Sequence, residues 1–281
     1  MIAWAKNSEV AAFVREGLFG AWTDNPGTRG WEYPWSVRYS GVSAGGLRIL
    51  DAGCGGSDFP FYLASIGNHV CGVDSLGAPG VERQFGLNRS LCDKWGVNVE
   101  LRLEDIRKMT WADCGFDRIF CISVLEHMES TKAVSDAINE MGRVLAPQGL
   151  LIVTTDFLLD GEILPHWDYR MDILNSGMQL LDPRSRFVAR GEIAKDPDTL
   201  VRIRSCAYEN RPFTAIGYIL RKRGAAPVNR CRMRMKWRTQ CIADRIRGGI
   251  PAGLNPHGVE EFNRIRQSSP HAYRGCFGTP L

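Results

Sequence analysis

The sequence has no apolar run approaching the roughly 18 residues that a membrane-spanning helix requires. It has no CxxC pair. Nine cysteines in 281 residues stand at 54, 71, 92, 114, 121, 206, 231, 241 and 276, a scatter that excludes a zinc ribbon and is too sparse for a disulfide scaffold. Several lie in apolar, strand-like runs, where a reduced thiol behaves as a small hydrophobe, so a reducing cytoplasm is the expected setting. Met1–Phe19 carries Lys6, Glu9, Arg15 and Glu16 within its apolar stretch, which excludes a secretory signal. No internal repeat recurs at a period of 20–50 residues. Wholesale disorder is excluded too, because 44% of residues are hydrophobic and 23% charged, close to the globular average. The length allows one large domain, or one domain with an appendage.

The formal net charge of +4 conceals two unlike parts. Residues 221–281 hold 13 Lys/Arg and 3 Asp/Glu, which leaves 22 basic against 28 acidic residues in 1–220. An acidic body therefore carries a basic tail. Arg230-Cys-Arg-Met-Arg-Met-Lys-Trp-Arg238 alternates basic and bulky residues, a pattern able to meet phosphate backbones or anionic lipid. A solvated extension is the simpler reading, since charge runs are usually solvated faces. From Gly248 onward ten of 34 residues are Gly or Pro, which argues further against a packed element.

Apolar periodicity predicts a helix over Trp4–Phe19, then a loop over Thr23–Gly30 and an aromatic cluster, Trp31-Glu-Tyr-Pro-Trp35, broken by proline. Strands are predicted at Leu47–Ala52, His69–Val73, Val97–Leu103, Phe116–Val124, Leu150–Thr155 and Phe213–Lys222, with weaker ones at Arg186–Arg190 and Leu200–Arg204. Helices are predicted at Asp58–Ile66, Val81–Trp95 and Ser130–Leu145. Short apolar strands separated by helical segments indicate βαβ units and a parallel sheet, with right-handed crossovers placing helices on both faces.

Leu47-Arg-Ile-Leu-Asp51-Ala-Gly53-Cys-Gly55-Gly-Ser57 runs from a strand through an acidic residue into a glycine turn before a helix. Glycines there let a ligand approach the backbone and supply positive φ without steric cost. Twenty-three residues after Asp51, the next strand ends in Asp74, where a carboxylate can accept both hydroxyls of an adenosine ribose. In the dinucleotide fingerprint the third glycine packs helix against strand beside a pyrophosphate. Here that position is Asp58, and a carboxylate there opposes a pyrophosphate on the helix N-terminus. Asp51 likewise suits a ligand bearing a sulfonium and an amino group rather than one bearing phosphates.

Over roughly residues 45–156 the chain resembles a class I S-adenosylmethionine-dependent methyltransferase in five ordered places. Asp51-Ala-Gly-Cys-Gly55 resembles the first motif, and Asp74 falls on the ribose-binding acid. Leu103-Glu-Asp105-Ile106 resembles the segment that contacts adenine. Phe116-Asp-Arg-Ile-Phe-Cys-Ile-Ser-Val-Leu-Glu126-His127 resembles the fourth strand with its Leu-Glu-His ending. Arg143-Val-Leu-Ala-Pro-Gln-Gly-Leu resembles the turn into the fifth strand, with Gln148 in place of the usual glycine. The resemblance implies a Rossmann-like, doubly wound α/β fold: a mainly parallel seven-stranded sheet with an antiparallel final strand. It implies S-adenosylmethionine held by Asp51, Gly53, Cys54, Gly55, Asp74, Ser75, Asp105, Ile106 and Ser123. The expected organisation is a helical lid over 1–44, the methyltransferase domain over 45–223, and a basic, Gly/Pro-rich extension over 224–281.

The resemblance implies methyl transfer to an O or N atom of a small molecule, with a sugar or a secondary metabolite among the acceptor classes considered. The [DNS]PP[YFW] motif of exocyclic-amine enzymes is absent from the fourth strand, and no Pro-Cys dipeptide of the C5-cytosine type occurs. His127 is the candidate base, since its ordinary pKa lies nearest neutrality, and His166 is the alternative. Related enzymes hold a divalent metal with a Glu-x-x-Glu-His cluster; here Ser123 stands first, so no metal site is expected. Two other readings remain. One is an RNA or protein methyltransferase recruiting its substrate through the basic tail, although no nucleic-acid module accompanies the charge. The other is a non-catalytic cofactor-binding protein.

Overall fold

The computed structural model describes residues 1–16, 28–75, 81–160, 176–182, 185, 188–203 and 211–224. Along the chain the first elements are strand β1 (Ile2–Trp4), helices α1 (Asn7–Arg15) and α2 (Arg29–Ser40), and a 3-10 turn at Val42–Ala44. Next come β2 (Arg48–Ala52), α3 (Phe59–Ser65), β3 (His69–Asp74), α4 (Val81–Gly86), α5 (Asn88–Trp95) and β4 (Val99–Leu103). Then follow β5 (Phe116–Ile122), a 3-10 turn at Leu125–His127, α6 (Thr131–Val144) and β6 (Leu145–Leu158). The last are β7 (Met178–Leu180), α7 (Arg190–Lys195), β8 (Arg202–Ile203) and β9 (Pro212–Lys222). The described residues fall into two compact units, one from 41–106 and one from 1–40 together with 107–227.

In the unit of 41–106, β2, β3 and β4 form a parallel ladder, with Arg48–Ala52 opposite His69–Val73 and Val70–Asp74 opposite Val99–Leu103. The buried residues of β2 are Ile49, Leu50, Asp51 and Ala52, a continuous run of the kind a strand covered on both faces requires. Gly72 is needed for close approach. A Cβ there would lie 2.6 Å from Leu101 Cδ2 and 3.1 Å from Cys54 Sγ. The helix expected over Val81–Trp95 is two helices separated at Leu87, directly after Gly86, a poor helix former.

In the other unit β5 and β6 are parallel, while β9 runs antiparallel to β6 and pairs β1, β7 and β8 antiparallel on its other side. β6 starts earlier than expected: Phe116 faces Leu145, then the register shifts so that Arg118 faces Leu150. The irregularity is a bulge over Ala146–Gly149 within β6. Gly149 is required in it, because a Cβ would meet Leu145 Cδ1 at 2.6 Å. α6 is capped by Ser130 Oγ, which accepts from Ala133 N at 3.2 Å, and buries Ala133, Ala137, Met141 and Val144 along one stripe.

These parallel ladders, joined through helices and ended by antiparallel β9, are the expected Rossmann-like α/β architecture. Among the described residues there are nine strands rather than seven; β1, β7 and β8 are short additions along β9. The helix expected from Trp4 begins at Asn7; Trp4 instead ends a strand, Ile2–Trp4, whose backbone pairs with Ile216–Tyr218, so tertiary pairing overrides local periodicity there. Of the strand expected over Arg186–Arg190, residues 186–187 lie outside the described residues, and Arg190 opens a helix, Arg190–Lys195.

The larger correction is α2. Trp31–Trp35 is helical despite Pro34, which removes one backbone donor from an interior position. Packing offsets that cost. Trp31 and Trp35, four residues apart, stack with ring centroids 5.0 Å apart, and both are fully buried. Trp35 also lies on Gly217 of β9, where a Cβ would come within 2.6 Å of its ring. Arg118 Nε of β5 donates to Ser40 O at 2.6 Å and holds the far end of the helix. No helix among the described residues is long and apolar enough to cross a membrane.

Candidate functional site

The unit of 41–106 gathers most of the sequence-predicted residues. β2 delivers buried Asp51 to the start of a turn in which Gly53 and Gly55 hold φ of 81° and 54°, conformations that favour glycine. Gly53 N and Cys54 N both donate to Val73 O, at 2.8 and 3.1 Å, which pins the turn to the end of β3. Asp74 closes it: Gly55 N donates to Oδ2 and Ser75 N to Oδ1, each at 2.7 Å. Burial holds the Asp74 carboxyl above the usual range, and those two amide bonds offset only part of that rise. Glu104 N donates to Asp74 O at 3.0 Å, so the segment carrying Asp105 and buried Ile106 follows directly on from Asp74.

Cys54 is buried against Gly72, and burial together with the charges of Asp51 and Asp74 raises its thiol well above the ordinary value. A group so disfavoured as thiolate is a packing residue, not a nucleophile. Asp58 is likewise pushed up by burial, with Lys94 opposing the shift.

Ser123 and His127 lie in the other unit. Ser123 ends β5 with φ of 50°, a left-handed conformation uncommon for a residue with a side chain, and its N–H donates to Thr154 O at 2.9 Å. Three carboxylates are buried around it: Glu32 from α2, Glu126 from the turn after β5, and Asp156 from β6. Glu32 is fully buried and accepts from Thr28 Oγ1 at 2.9 Å, Ser123 Oγ at 2.7 Å and Thr154 Oγ1 at 2.6 Å. Arg29 Nη1 donates to Glu32 Oε2 at 2.5 Å and also to Ser123 Oγ. Burial alone would raise Glu32, but the Arg29 charge and the Thr154 and Ser123 hydroxyls outweigh it and hold the carboxyl low.

Glu126 is the opposite case. Its Oε1 accepts from Asp156 N at 3.0 Å, yet burial and then the Asp156 charge push it up to about 8. Two neighbouring carboxyls thus differ in protonation near neutrality, one ionised by its partners and one kept neutral by its surroundings.

His127 is exposed, its backbone N–H donating to Val124 O at 3.0 Å. His166 lies outside the described residues, as does the tail beyond Gly224. Among the described residues no group of three or more His, Cys, Asp or Glu is arranged to hold a metal ion. Sequence reasoning passed over Arg29, Glu32 and Asp156. Asp156 was within reach, since it is an acid at the end of an apolar strand, the same signal that marked Asp51 and Asp74. Glu32 gave no such signal, being one acid inside an aromatic segment.

Residues 50–153 match a family model described as a methyltransferase domain. The chain is similar to a ubiquinone biosynthesis O-methyltransferase of Azorhizobium caulinodans, 32% identical over 165 residues, which cover 53% of this chain and 61% of that one. A protein of the same description from Methylocella silvestris is 31% identical over 118 residues, covering 42% and 43%. The matched part of the chain thus spans between about two fifths and three fifths of these relatives' lengths. Among solved structures, a SAM-dependent methyltransferase from Aquifex aeolicus superposes with a TM-score of 0.43 at 16% identity, covering 63% of this chain and 82% of that one.

Proposed function

We propose, on the premise that residues 50–153 are a class I S-adenosylmethionine-dependent methyltransferase domain, that the protein transfers a methyl group from that cofactor to an oxygen of a small-molecule acceptor. The observation that carries the reading is the link between glycine turn and strand-end acid, Gly55 N to Asp74 Oδ2 at 2.7 Å. It sets a carboxylate beside a backbone that a ligand can approach, since a Cβ at Gly55 would meet nothing within 4 Å. Each Asp74 oxygen accepts one of these amide bonds and keeps capacity for a further donor, which fits the two hydroxyls of a ribose. Oxygen as the acceptor atom rests on the O-methyltransferase description of the similar proteins.

When bound, the cofactor supplies a methyl group already activated on a sulfonium. The chain's own residues have to bind, orient and exclude water. In this reading Asp51 faces the amino group, the Gly53–Gly55 backbone lies along the methionine part, Asp74 and Ser75 hold the ribose, and Asp105 with Ile106 borders the adenine. Ser123 marks the carboxyl end of β5, where open α/β sheets take ligands. In the unit that contains β5, exposed His127 is the candidate base for an acceptor hydroxyl.

Calorimetry with S-adenosylmethionine and S-adenosylhomocysteine, followed by transfer of labelled methyl into a pool of hydroxylated metabolites, tests the proposal. Binding of the cofactor and a labelled ether product support it. Tighter binding of NAD, or no cofactor binding, overturns it.

A further inference from the structure

Arg29 holds a guanidinium at the carboxyl end of β5 and uses one side of it. Its Nη1 is engaged by Glu32 and Ser123, and the group lies 5.8 Å from the Tyr33 ring centroid. Among the described residues Nε and Nη2 donate to no protein group, and the side chain is 28% exposed. The unused Nε–Nη2 edge is a parallel pair of donors in fixed geometry. Glu32 fixes it. With four donors on two oxygens, this fully buried carboxylate has no capacity left for a ligand, so it is a positioning residue. Ser123, locked by the same carboxylate, keeps a left-handed backbone conformation uncommon for a residue with a side chain.

The charge balance selects the ligand. The single positive charge of Arg29 is already matched by Glu32 at 2.5 Å, and among the described residues its further charged neighbour on this face is another acid, Asp156. Among the described residues, an incoming carboxylate or phosphate finds two N–H donors but no spare positive charge, with Asp156 close behind Thr28 at 3.5 Å. A neutral oxygen gains the same hydrogen bonds without that repulsion.

We propose that the free edge of Arg29 binds a neutral carbonyl or hydroxyl oxygen of the acceptor and selects against carboxylates at that position. The inference rests on the methyl-transfer reading above and adds the acceptor's chemistry to it.

The test uses the full chain loaded with S-adenosylhomocysteine and titrated at neutral pH with salicylamide and with salicylate, which share a hydroxyl and differ in charge. Salicylamide is expected to bind about tenfold more tightly than salicylate, and Arg29→Ala to lose about tenfold in salicylamide affinity with S-adenosylhomocysteine affinity unchanged. Arg29→Lys keeps the charge without the planar edge and is expected not to restore salicylamide binding. Salicylate binding as tightly as salicylamide, no salicylamide binding to the loaded protein, or unchanged affinity in Arg29→Ala overturns the inference alone. Failure of the wild-type chain to bind S-adenosylhomocysteine overturns the methyl-transfer reading, and the inference with it.

Discussion

Gly55 and Asp74 stand 19 residues apart and are joined by one hydrogen bond of 2.7 Å, from the Gly55 amide to Asp74 Oδ2. That bond makes the glycine turn and the end of β3 a single object, so a change at Asp74 acts on both. Asp74→Ala is expected to weaken S-adenosylmethionine binding by about 1.5–3 kcal/mol, the worth of hydrogen bonds to a charged group. Asp74→Asn, which keeps one acceptor oxygen, is expected to lose less. Calorimetry checks the order, and unchanged affinity in the alanine variant refutes the ribose assignment.

Gly72 offers a structural test of the same unit. The Cβ of an alanine would sit 2.6 Å from Leu101 Cδ2 and 3.1 Å from Cys54 Sγ. Gly72→Ala is expected to cost about 1–3 kcal/mol through overpacking and to weaken cofactor binding by displacing Cys54 from the turn. Leu101→Ala in that background opens the tighter contact and is expected to recover part of the stability, a coupling that denaturation of both variants measures.

The Arg29–Glu32 pair predicts an asymmetry. Removing Glu32 strands the buried Ser123 and Thr154 hydroxyls and the Arg29 charge together, whereas removing Arg29 leaves Glu32 with three hydroxyl donors. Breaking a buried pair costs about 3–5 kcal/mol, and Glu32→Ala is expected near that range, with Arg29→Ala well below it. Equal urea midpoints for the two variants contradict this account of the network.

The parallel ladders and the glycine turn were legible because period, glycine and strand-end acid are local signals. Leu47–Ala52, His69–Val73 and Phe116–Val124 all fall on strands found within a residue or two of the expected ends. The helix of Trp31–Trp35 was hidden because Pro34 carries a local penalty, while its compensation comes from Trp35 on Gly217, about 180 residues away in sequence. β1 was hidden for the same reason, since three residues become a strand only by pairing with β9. The buried acids around Ser123 come from three separate stretches of chain, and no spacing rule joins Glu32, Glu126 and Asp156.

Glu126 gives the last prediction, on pH. Its carboxyl is held up at about 8 in the folded protein, against an ordinary value of 4.5, by burial and then by the Asp156 charge. The native state therefore keeps a proton that the unfolded chain has released. The stability tied to that proton is complete below about 4.5 and is lost as pH rises through 8, when the buried acid must ionise. Urea midpoints are expected to fall over this window in the wild type. Glu126→Gln carries a neutral amide throughout, so its midpoint is expected to stay flatter over the same range. Asp156→Asn removes the second cause of the shift, so its decline is expected to begin at the same pH as in the wild type and to end at a lower one. If Glu126→Gln shows the same slope as the wild type, Glu126 is not the group that holds the proton.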